Sequence, residues 1–172
     1  LLERDDAVDL LMPRGSSEFV SYVEDNTKIP VLGHTEGICH VYADEDADLA
    51  MAADVAFDAK VQYPAVCNAV ETLLVHESVA EDLLPDLAAR YREADVELRG
   101  DERAREVVEM NAASEEDWST EYGDLILAVK IVDSLAEAID HVNTYGSKHT
   151  ESIVTETAEH AERFMRQIDA AS

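Results

Sequence analysis

The sequence predicts an α/β fold, because short apolar runs alternate with segments of helical periodicity along the chain. Its 172 residues fit one ordinary domain, and a hydrophobic fraction of 47% is enough for a packed core. No apolar run approaches the roughly 20 residues that a membrane-spanning helix needs, so we expect no membrane partner. Repeats, low-complexity tracts and linkers are absent from the sequence.

The first part of the chain predicts three strands and one helix. "VDLLMP" (8–13) and "IPVLG" (29–33) are short apolar runs, and "GICHVYAD" (37–44) alternates apolar and polar residues as a strand does. The turn "RGSS" leads into a predicted helix over 17–25. We therefore expect strand–helix–strand–strand before residue 45.

A change of period marks the middle of the chain. After Asp48, apolar residues recur at helical spacing, which predicts a helix; they are Leu49, Ala52, Ala53, Ala56 and Phe57. "ETLLVH" (71–76) predicts a strongly apolar strand, and a helix over 82–93 follows it. Pro85 is tolerable in that helix if it lies in the first turn, where no backbone N–H is needed.

Strands and capping residues continue the alternation. "VELRG" (96–100) predicts a short strand, and Asp101 can cap a short helix to about residue 110. Residues 111–124 show no period and predict a loop, whereas "LILAVKIV" (125–132) predicts a buried strand.

The last elements are again a helix, a strand and a helix. Ser134 and Glu137 form a capping box ahead of a helix that Gly146 should end. "SIVT" (152–155) predicts a final strand, and a helix to about Asp169 closes the pattern.

Charge excludes two classes of partner. Thirteen Lys and Arg stand against 39 Asp and Glu, a formal net charge of −26 that is spread through every segment. Such a surface repels nucleic acid and anionic membranes. Self-repulsion of this size is relieved in about 1 M salt, where the screening length falls to roughly 3 Å. We therefore predict a salt-accumulating, halophilic host.

The two cysteines, Cys39 and Cys67, are expected to be free thiols of a cytoplasmic protein. Cys39 and His40 are neighbours on a predicted strand, so their side chains point to opposite faces and a structural role is favoured. The histidines show neither HxxxH spacing nor a CxxC partner, and we predict no metal site. Cys67 follows Pro64 in a turn between a helix and a strand, where α/β folds present functional groups; by composition alone it is a small buried hydrophobe.

Two further stretches are ambiguous on their residues alone. Glu121 in "STEYGD" is either a solvated loop carboxylate or a functional group ahead of a buried strand. "PRGSS" is either a plain tight turn or a phosphate site built from Arg14 and backbone N–H groups at a helix N-terminus.

Long stretches of the chain resemble gamma-glutamyl phosphate reductase, in the aldehyde dehydrogenase superfamily. They include "DLLMPRGSSEFV", "IPVLGHTEGICHVYADEDADL", "AKVQYPAVCNAVETLLVH" and "TEYGDLILAVKIVDSLAEAIDHVNTYGSKHTESIVT", in the family's order. The most specific is "VDSLAEAIDHVNTYGSKHTESI" (132–153), which meets every fixed position of a family signature. The resemblance implies an aldehyde-dehydrogenase-like catalytic domain, a three-layer sandwich with a mostly parallel sheet. It assigns residues 1–30 to the end of the dinucleotide-binding domain or to a lead-in to the catalytic domain, and 31–172 to the catalytic domain, without the family's C-terminal segment.

The implied activity is NADPH-dependent reduction of L-glutamyl 5-phosphate to L-glutamate 5-semialdehyde with release of phosphate, in proline biosynthesis. Homo-oligomerisation of the full-length protein and association with glutamate 5-kinase are the implied partnerships. The chain alone is expected not to turn over NADPH, because the dinucleotide-binding half is missing from it.

The resemblance also assigns roles to residues. Cys67 in "AVCNAVE" matches the family's nucleophile, and its backbone N–H is the expected oxyanion donor. Glu121 matches a glutamate that holds the nicotinamide ribose. The turn that faces the dinucleotide is matched by Arg14, Gly15, Ser16 and Ser17. Asn68 beside the nucleophile is a predicted substrate contact.

Two departures leave alternatives open. Tyr63 stands where the family usually has Arg before the proline. If that Arg neutralises the substrate phosphate, either another cation such as Lys60 takes over the contact or the loop differs. Glu36 lies where aldehyde-oxidising relatives keep a general base, and we assign it no role. Two hypotheses compete with this one. An aldehyde-oxidising dehydrogenase would need that base, and a noncatalytic α/β binding domain would have an unreactive Cys67.

Overall fold

The computed structural model describes residues 1–15, 17–33 and 37–172. Six strands, β1–β6, lie at Cys39–Ala43, Val70–His76, Glu97–Gly100, Asn111–Ala112, Ile126–Val132 and Glu151–Val154. The α-helices of these residues, α1–α6, span Ser17–Asp25, Leu49–Val61, Glu77–Glu93, Glu102–Val107, Leu135–Tyr145 and Ala158–Gln167. A 3-10 helix spans Glu115–Ser119. The chain divides into two compact units, Leu1–Glu36 and Gly37–Ser172.

The first unit contains α1 and a small apolar core of Leu11, Val23 and Ile29. The predicted helix over 17–25 is confirmed. The predicted strands over 8–13 and 29–33 are wrong, since these segments meet in a single bridge between Leu11 and Val31. Among the described residues, no third strand pairs with these two segments. Two strands without a third are only marginally stable in water.

The second unit is a six-stranded sheet in the order β4-β3-β5-β2-β1-β6, and every pairing in it is parallel. From β1 through β2 to β3 and β4 the chain moves toward one edge of the sheet. From β5 it returns across β2 and β1 to β6. Right-handed crossovers that run in opposite directions place their helices on opposite faces of the sheet. The predicted α/β sandwich with a mostly parallel sheet is confirmed, and the described sheet is wholly parallel.

Each face of the sheet has its own apolar core. Side chains of α2, α3 and α4 pack with one face, through residues such as Leu73, Leu87 and Val129. Helices α5 and α6 cover the other face, where Leu74, Ile139 and Phe164 meet. Because both faces are covered, β1 and β2 are buried along their whole length, although the sequence of β1 alternates apolar and polar residues.

Two predicted elements in the middle of the chain are corrected. Helix α3 begins at Glu77, not at residue 82, so Pro85 lies in its interior and not in the first turn. The His76 ring accepts a hydrogen bond from Ser78 N at 3.2 Å and caps the helix, a signal that a search for Ser, Thr, Asp or Asn overlooks. The predicted loop over 111–124 contains β4 and the 3-10 helix.

The predicted caps are confirmed. Asp101 Oδ1 accepts from Ala104 N at 2.8 Å and starts α4. Ser134 Oγ accepts from Glu137 N at 3.2 Å and starts α5, which ends before Gly146. Glu137 Oε2 accepts from Asp133 N, one residue before the cap, so the reciprocal bond of the predicted capping box is displaced by one residue. Among the described residues, every helix is too short or too polar to span a membrane.

Candidate active site

Cys67 lies in the turn between α2 and β2, and its side chain is exposed. Backbone hydrogen bonds shape the turn: Val66 N donates to Tyr63 O at 3.3 Å, and Ala69 N donates to Val66 O at 2.9 Å. Since the turn precedes β2, the thiol is at the amino edge of the sheet. Open α/β sheets usually bind ligands at the carboxyl edge, so the reason for which the sequence favoured this helix-to-strand turn was wrong, and the general rule would have placed the site at the opposite edge.

The backbone of Cys67 is held by two residues at the start of β1. Cys39 Sγ donates to the Cys67 carbonyl oxygen at 3.4 Å. A Cβ added to Gly37 would lie 2.7 Å from the carbonyl carbon and 2.8 Å from the Cα of Cys67. Real Cβ atoms essentially never approach this closely, so glycine is required for the two backbones to pack here. The exposed thiol thus sits on a constrained main chain.

The two thiols differ in surroundings, and both are free, as predicted. Cys39 is buried, and burial raises the pKa of its thiol to about 12. His40 points away and bonds Glu151 Oε2 through Nδ1 at 2.9 Å, so the structural reading of the Cys39-His40 pair is confirmed. Only a thiol that solvent and substrate can reach is able to act as a nucleophile, and of these two it is Cys67.

The most specific stretch of the sequence includes residues 146–151, the turn before β6 and the first residue of that strand, and they pack against the start of β1. Ser147 Oγ accepts from Ile38 N at 2.9 Å, and Glu151 Oε2 accepts from His40 N at 2.8 Å. These bonds fix the residues that flank Cys39, which in turn contacts the Cys67 turn. Residues 146–151 therefore support the candidate nucleophile indirectly, through Cys39.

Lys60 is completely buried, and the structure gives its ammonium group an internal partner. Its Nζ lies 2.7 Å from Glu71 Oε2 and 3.2 Å from the carbonyl oxygen of Asp124. A buried cation that is already paired is not displayed to a substrate phosphate. These contacts argue against the substrate-binding role that the sequence predicted for Lys60.

Glu121, the predicted ribose contact, is exposed in the segment between the 3-10 helix and β5. This segment is anchored two residues further on, where Gly123 N donates to Glu71 Oε1 at 3.2 Å. Gly123 adopts a φ of 59°, in the left-handed region that glycine reaches without strain. Glu71 thus contacts the segment that carries Glu121.

The remaining predicted cofactor residues belong to the first unit. Arg14 and Gly15 are exposed and directly precede α1, and Gly15 has a φ of 153°. Ser17 is the first residue of α1. Ser16 and Glu36 lie outside the described residues. The dinucleotide contact of this turn stays a prediction.

Asn68 is exposed beside Cys67, which keeps it available as a substrate contact.

At the opposite edge of the sheet, Asp44, Asp46 and His160 place potential metal-ligand atoms within 4.8 Å of one another. Asp44 accepts from Thr155 Oγ1 at 2.7 Å and pairs with His160 Nδ1 at 2.6 Å, so hydrogen bonds account for this cluster.

Sequence reasoning missed two residues of the site, Glu71 and Gly37. Glu71 was placed in an apolar strand without a role, although a carboxylate in a buried strand requires a partner. The matching signal was Lys60, the nearest cation before it in the sequence. For Gly37 the sequence offered no comparable signal, because the backbone that it approaches is 30 residues away.

Comparison with known proteins adds a family context. No family model matches the chain. The gamma-glutamyl phosphate reductase of Natronomonas pharaonis is 71% identical over 174 residues, which cover 100% of this chain and 40% of that protein. The Haloquadratum walsbyi protein of the same name is 66% identical over 180 residues, again 100% of this chain and 40% of the relative. The chain therefore spans about two fifths of the length of these curated relatives.

Solved structures agree with this result. The crystal structure of gamma-glutamyl phosphate reductase from Thermotoga maritima matches 99% of this chain and 41% of its own, with a TM-score of 0.96 at 44% identity. A glyceraldehyde-3-phosphate dehydrogenase from Methanocaldococcus jannaschii has a TM-score of 0.77 at 15% identity, over 99% of this chain and 46% of its own. The second match is evidence for the fold alone. Over its whole length the chain corresponds to a part of the gamma-glutamyl phosphate reductases, and it has the aldehyde dehydrogenase fold.

Proposed function

We propose that this chain is the thiol-bearing part of an enzyme that reduces L-glutamyl 5-phosphate to L-glutamate 5-semialdehyde and phosphate in proline biosynthesis. The observation that carries the proposal is Cys67, an exposed thiol on a constrained turn, in a chain that is 71% identical to a protein named gamma-glutamyl phosphate reductase. Because the chain spans 40% of that relative, the activity of the whole protein is part of the proposal.

The first chemical step is assigned to the Cys67 sulfur. As the thiolate, it attacks the carbonyl carbon of the acyl phosphate, and a C–S bond forms. The bond between that carbon and the phosphate oxygen breaks, and phosphate leaves with the electron pair. The product is a thioester on Cys67. The Cys67 backbone N–H is proposed to donate to the oxyanion that develops in this step.

The second step returns the sulfur to its starting state. NADPH, when bound, supplies the hydride that the thioester carbon needs. Cys67 then holds a tetrahedral adduct with one C–S bond, and this bond breaks as the carbonyl re-forms. The thiolate departs with the bonding electrons and the aldehyde is released. One Cys67 thiolate is consumed and regenerated in each turnover.

For the cofactor, the exposed residues of the chain offer fitting chemistry. Glu121 has carboxylate oxygens that can accept hydrogen bonds from ribose hydroxyls, and it is open to solvent. Arg14 is an exposed cation of the kind that pairs with phosphate, and Gly15 lets the backbone take its left-handed φ. We propose Glu121 of the second unit, and Arg14, Gly15, Ser16 and Ser17 of the first unit, each as a separate candidate contact for NADPH.

For the substrate, Asn68 stays the proposed contact beside the nucleophile. Tyr63 and Asn68 are exposed in the Cys67 turn, and both can donate a hydrogen bond to a phosphate or carboxylate oxygen. We leave Lys60 out of this proposed set, because its ammonium group is buried and paired with Glu71. We therefore propose that groups other than Lys60 meet the charge of the acyl phosphate.

The test uses the full-length protein in high KCl. Phosphate-dependent reduction of NADP⁺ by glutamate semialdehyde, the reverse reaction, is measured for the wild type, for Cys67→Ser and for Cys39→Ser as the matched thiol control. We expect Cys67→Ser to lose several orders of magnitude in kcat, as enzymes do when the nucleophile is removed, and Cys39→Ser to stay active.

Other outcomes would point elsewhere. Equal activity of Cys67→Ser and the wild type would overturn the mechanism. Aldehyde oxidation that does not require phosphate would instead support an aldehyde-oxidising dehydrogenase. A folded protein with neither activity would support the noncatalytic binding domain.

Four expectations belong with this proposal. The enzyme is proposed to act in the cytoplasm, as a homo-oligomer, and in association with glutamate 5-kinase, whose acyl-phosphate product is labile in water. Without the rest of the protein, the chain is expected not to turn over NADPH. Size-exclusion chromatography of the full-length protein tests the oligomer, and co-purification tests the kinase.

A further inference from the structure

The ion pair of Lys60 and Glu71 closes the base of the Cys67 turn. Lys60 lies in the last turn of α2 and Glu71 is the second residue of β2, so the two side chains flank the turn from both ends. Their Nζ and Oε2 atoms are 2.7 Å apart, and the side chains are 0% and 1% exposed. The contact therefore fixes the distance between the two ends of the segment that presents Cys67.

A register shift in the pairing of β1 and β2 lies beside Glu71. Cys39 pairs with Val70 and His40 with Thr72, so Glu71 is an additional residue on β2 at this point. Bulges of this kind re-aim a side chain and occur next to active sites. Leu73 packs in the core on the α2 side of the sheet, and Glu71, two residues earlier, faces that side too.

The same pair contacts the segment that carries Glu121. Lys60 Nζ donates to Asp124 O at 3.2 Å, and Glu71 Oε1 accepts from Gly123 N at 3.2 Å. The pair thus bonds one N–H and one C=O of the second segment while it joins the ends of the first. An apolar pair could fill this space, but it could not make either of these backbone bonds.

The pair is costly to bury. Burial lowers the pKa of Lys60 and raises the pKa of Glu71, and each partner opposes the shift of the other. Replacing a buried ion pair with apolar residues of similar volume is often neutral or stabilising. Stability by itself therefore does not explain why a carboxylate and an ammonium group stand here.

We infer that Lys60 and Glu71 are positioning residues, which hold the Cys67 turn and the Glu121 segment in a fixed relation at the amino edge of the sheet. This inference rests on the proposed function for its catalytic consequence. Its structural part, that one buried pair restrains both segments, can be measured without any assay of activity. Lys60 therefore acts through Cys67 and does not touch the substrate.

The structural part is tested by hydrogen–deuterium exchange of the full-length protein in high KCl. The probes are the Ala69 and Gly123 amides, one in each segment, in Glu71→Gln and in Lys60→Met. We expect exchange of both amides to become faster by about tenfold or more, because both segments lose the same anchor. The matched control is Glu77→Gln, which removes the carboxylate of an exposed pair with Arg103 and should leave both amides unchanged.

Exchange that changes in one segment and not in the other would overturn the inference, as would unchanged exchange in both. Should a single variant fail to fold, the double variant Lys60→Met/Glu71→Leu supplies the same readout, because it leaves no buried charge without a partner.

The catalytic part is tested with that double variant. If the pair serves positioning, the double variant folds but its kcat falls by about 10²-fold with little change in KM, as for a misplaced reacting group. If the pair serves stability alone, kcat returns to the wild-type value and the positioning role is overturned. Failure of the proposed function gives a different result, because Cys67→Ser would then be as active as the wild type. The exchange experiment would still show whether the pair restrains both segments.

Discussion

Cys39 and Cys67 are close in space, yet their thiols differ in accessibility. The Cys39 sulfur is 3.4 Å from the Cys67 carbonyl oxygen, and Cys39 is only 2% exposed to solvent. Its pKa, raised to about 12 by burial, keeps it a neutral thiol that donates a hydrogen bond. One cysteine is thus part of the support for the other.

Alkylation with iodoacetamide should separate the two thiols. At pH 8 in high KCl, we expect rapid modification of Cys67 and modification of Cys39 only when the protein unfolds, because the thiolate is the reactive form and Cys39 is buried. Peptide mass spectrometry over time gives the two rates. Cys67→Ser is the control and should show no rapid phase; a faster Cys39 would contradict the assignment.

Gly37 tests the packing of the Cys67 backbone. Gly37→Ala should destabilise the protein by about 1–3 kcal/mol, the usual cost of overpacking, because the added Cβ meets main-chain atoms of Cys67 that cannot rotate away. Gly123→Ala is a useful comparison, since no atom lies within 4 Å of a Cβ there and the cost is the left-handed backbone alone, about 1 kcal/mol.

Urea unfolding at fixed KCl measures both Gly37→Ala and Gly123→Ala. A smaller loss for Gly37→Ala than for Gly123→Ala would show that the Gly37–Cys67 contact is not tight.

At the scale of elements, the 3-10 helix is attached to the sheet through Asp117. Its carboxylate accepts from Arg99 Nη1 at 2.8 Å, from Tyr122 OH at 2.6 Å and from Ser114 N at 2.7 Å. Burial alone would raise the pKa of Asp117, but these hydrogen bonds outweigh it and the pKa is lowered. Arg99 belongs to β3, so one carboxylate joins a strand, a helix and the segment that leads to β5.

The lowered pKa predicts a pH dependence of stability. The unfolded state takes up a proton near pH 3.9, above the folded pKa, so the contribution of Asp117 is complete above about pH 4 and is lost as the pH falls through the folded pKa. Asp117→Asn should therefore cost about 1.5–3 kcal/mol at pH 7 and progressively less below pH 4. Urea unfolding between pH 3 and 7 at constant KCl measures it.

Asp133→Asn is the control for this prediction. Its carboxylate pairs with Arg103 but is 66% exposed, and exposed pairs contribute little. A penalty for Asp117→Asn that is the same at pH 3 and pH 7 would contradict the assigned role.

Helix α3 shows how one element distributes charge and apolar surface. Its buried side is continuous from Val79 to Tyr91, while Pro85 and the carboxylates stand on the exposed side. Packing of that apolar side compensates for the backbone hydrogen bond that Pro85 cannot make inside the helix. The helix is therefore maintained by tertiary contacts more than by its own residues.

For the whole molecule, the net charge of −26 is the main source of long-range electrostatic repulsion. At 0.1 M salt the Debye length is about 10 Å, so carboxylates on neighbouring elements repel one another; near 1 M it is about 3 Å and the repulsion is confined to close pairs. The fold is expected to require salt for that reason.

Removal of KCl should unfold the protein. We expect circular dichroism to show loss of structure as KCl is lowered from about 3 M toward 0.1 M, and recovery when it is restored. A variant with glutamine or asparagine at four exposed carboxylates of α3 should unfold at a lower KCl concentration; the positions are Glu81, Asp82, Asp86 and Glu93. Stability independent of KCl would contradict the predicted adaptation to salt.

Local signals in the sequence determined most of the elements of the sheet domain. Period, capping residues and apolar runs located β2, β5, α2, α4 and α5 to within a few residues, because these signals act between residues that are close along the chain. The choice of Cys67 as the nucleophile came instead from the resemblance to the reductase family. Where the chain relied on less common local chemistry, as in the His76 cap of α3, the boundary was missed.

Only the tertiary structure decided how the site is held. The order of the strands, the amino-edge position of Cys67, the burial of Lys60 and its pairing with Glu71 and the Gly123–Asp124 backbone all depend on segments that are far apart in sequence. The residues that flank a turn do not reveal whether a lysine faces solvent or a carboxylate. That choice is made when α2 packs on the sheet, since burial leaves the ammonium group no partner but Glu71 and the Asp124 carbonyl among the described residues.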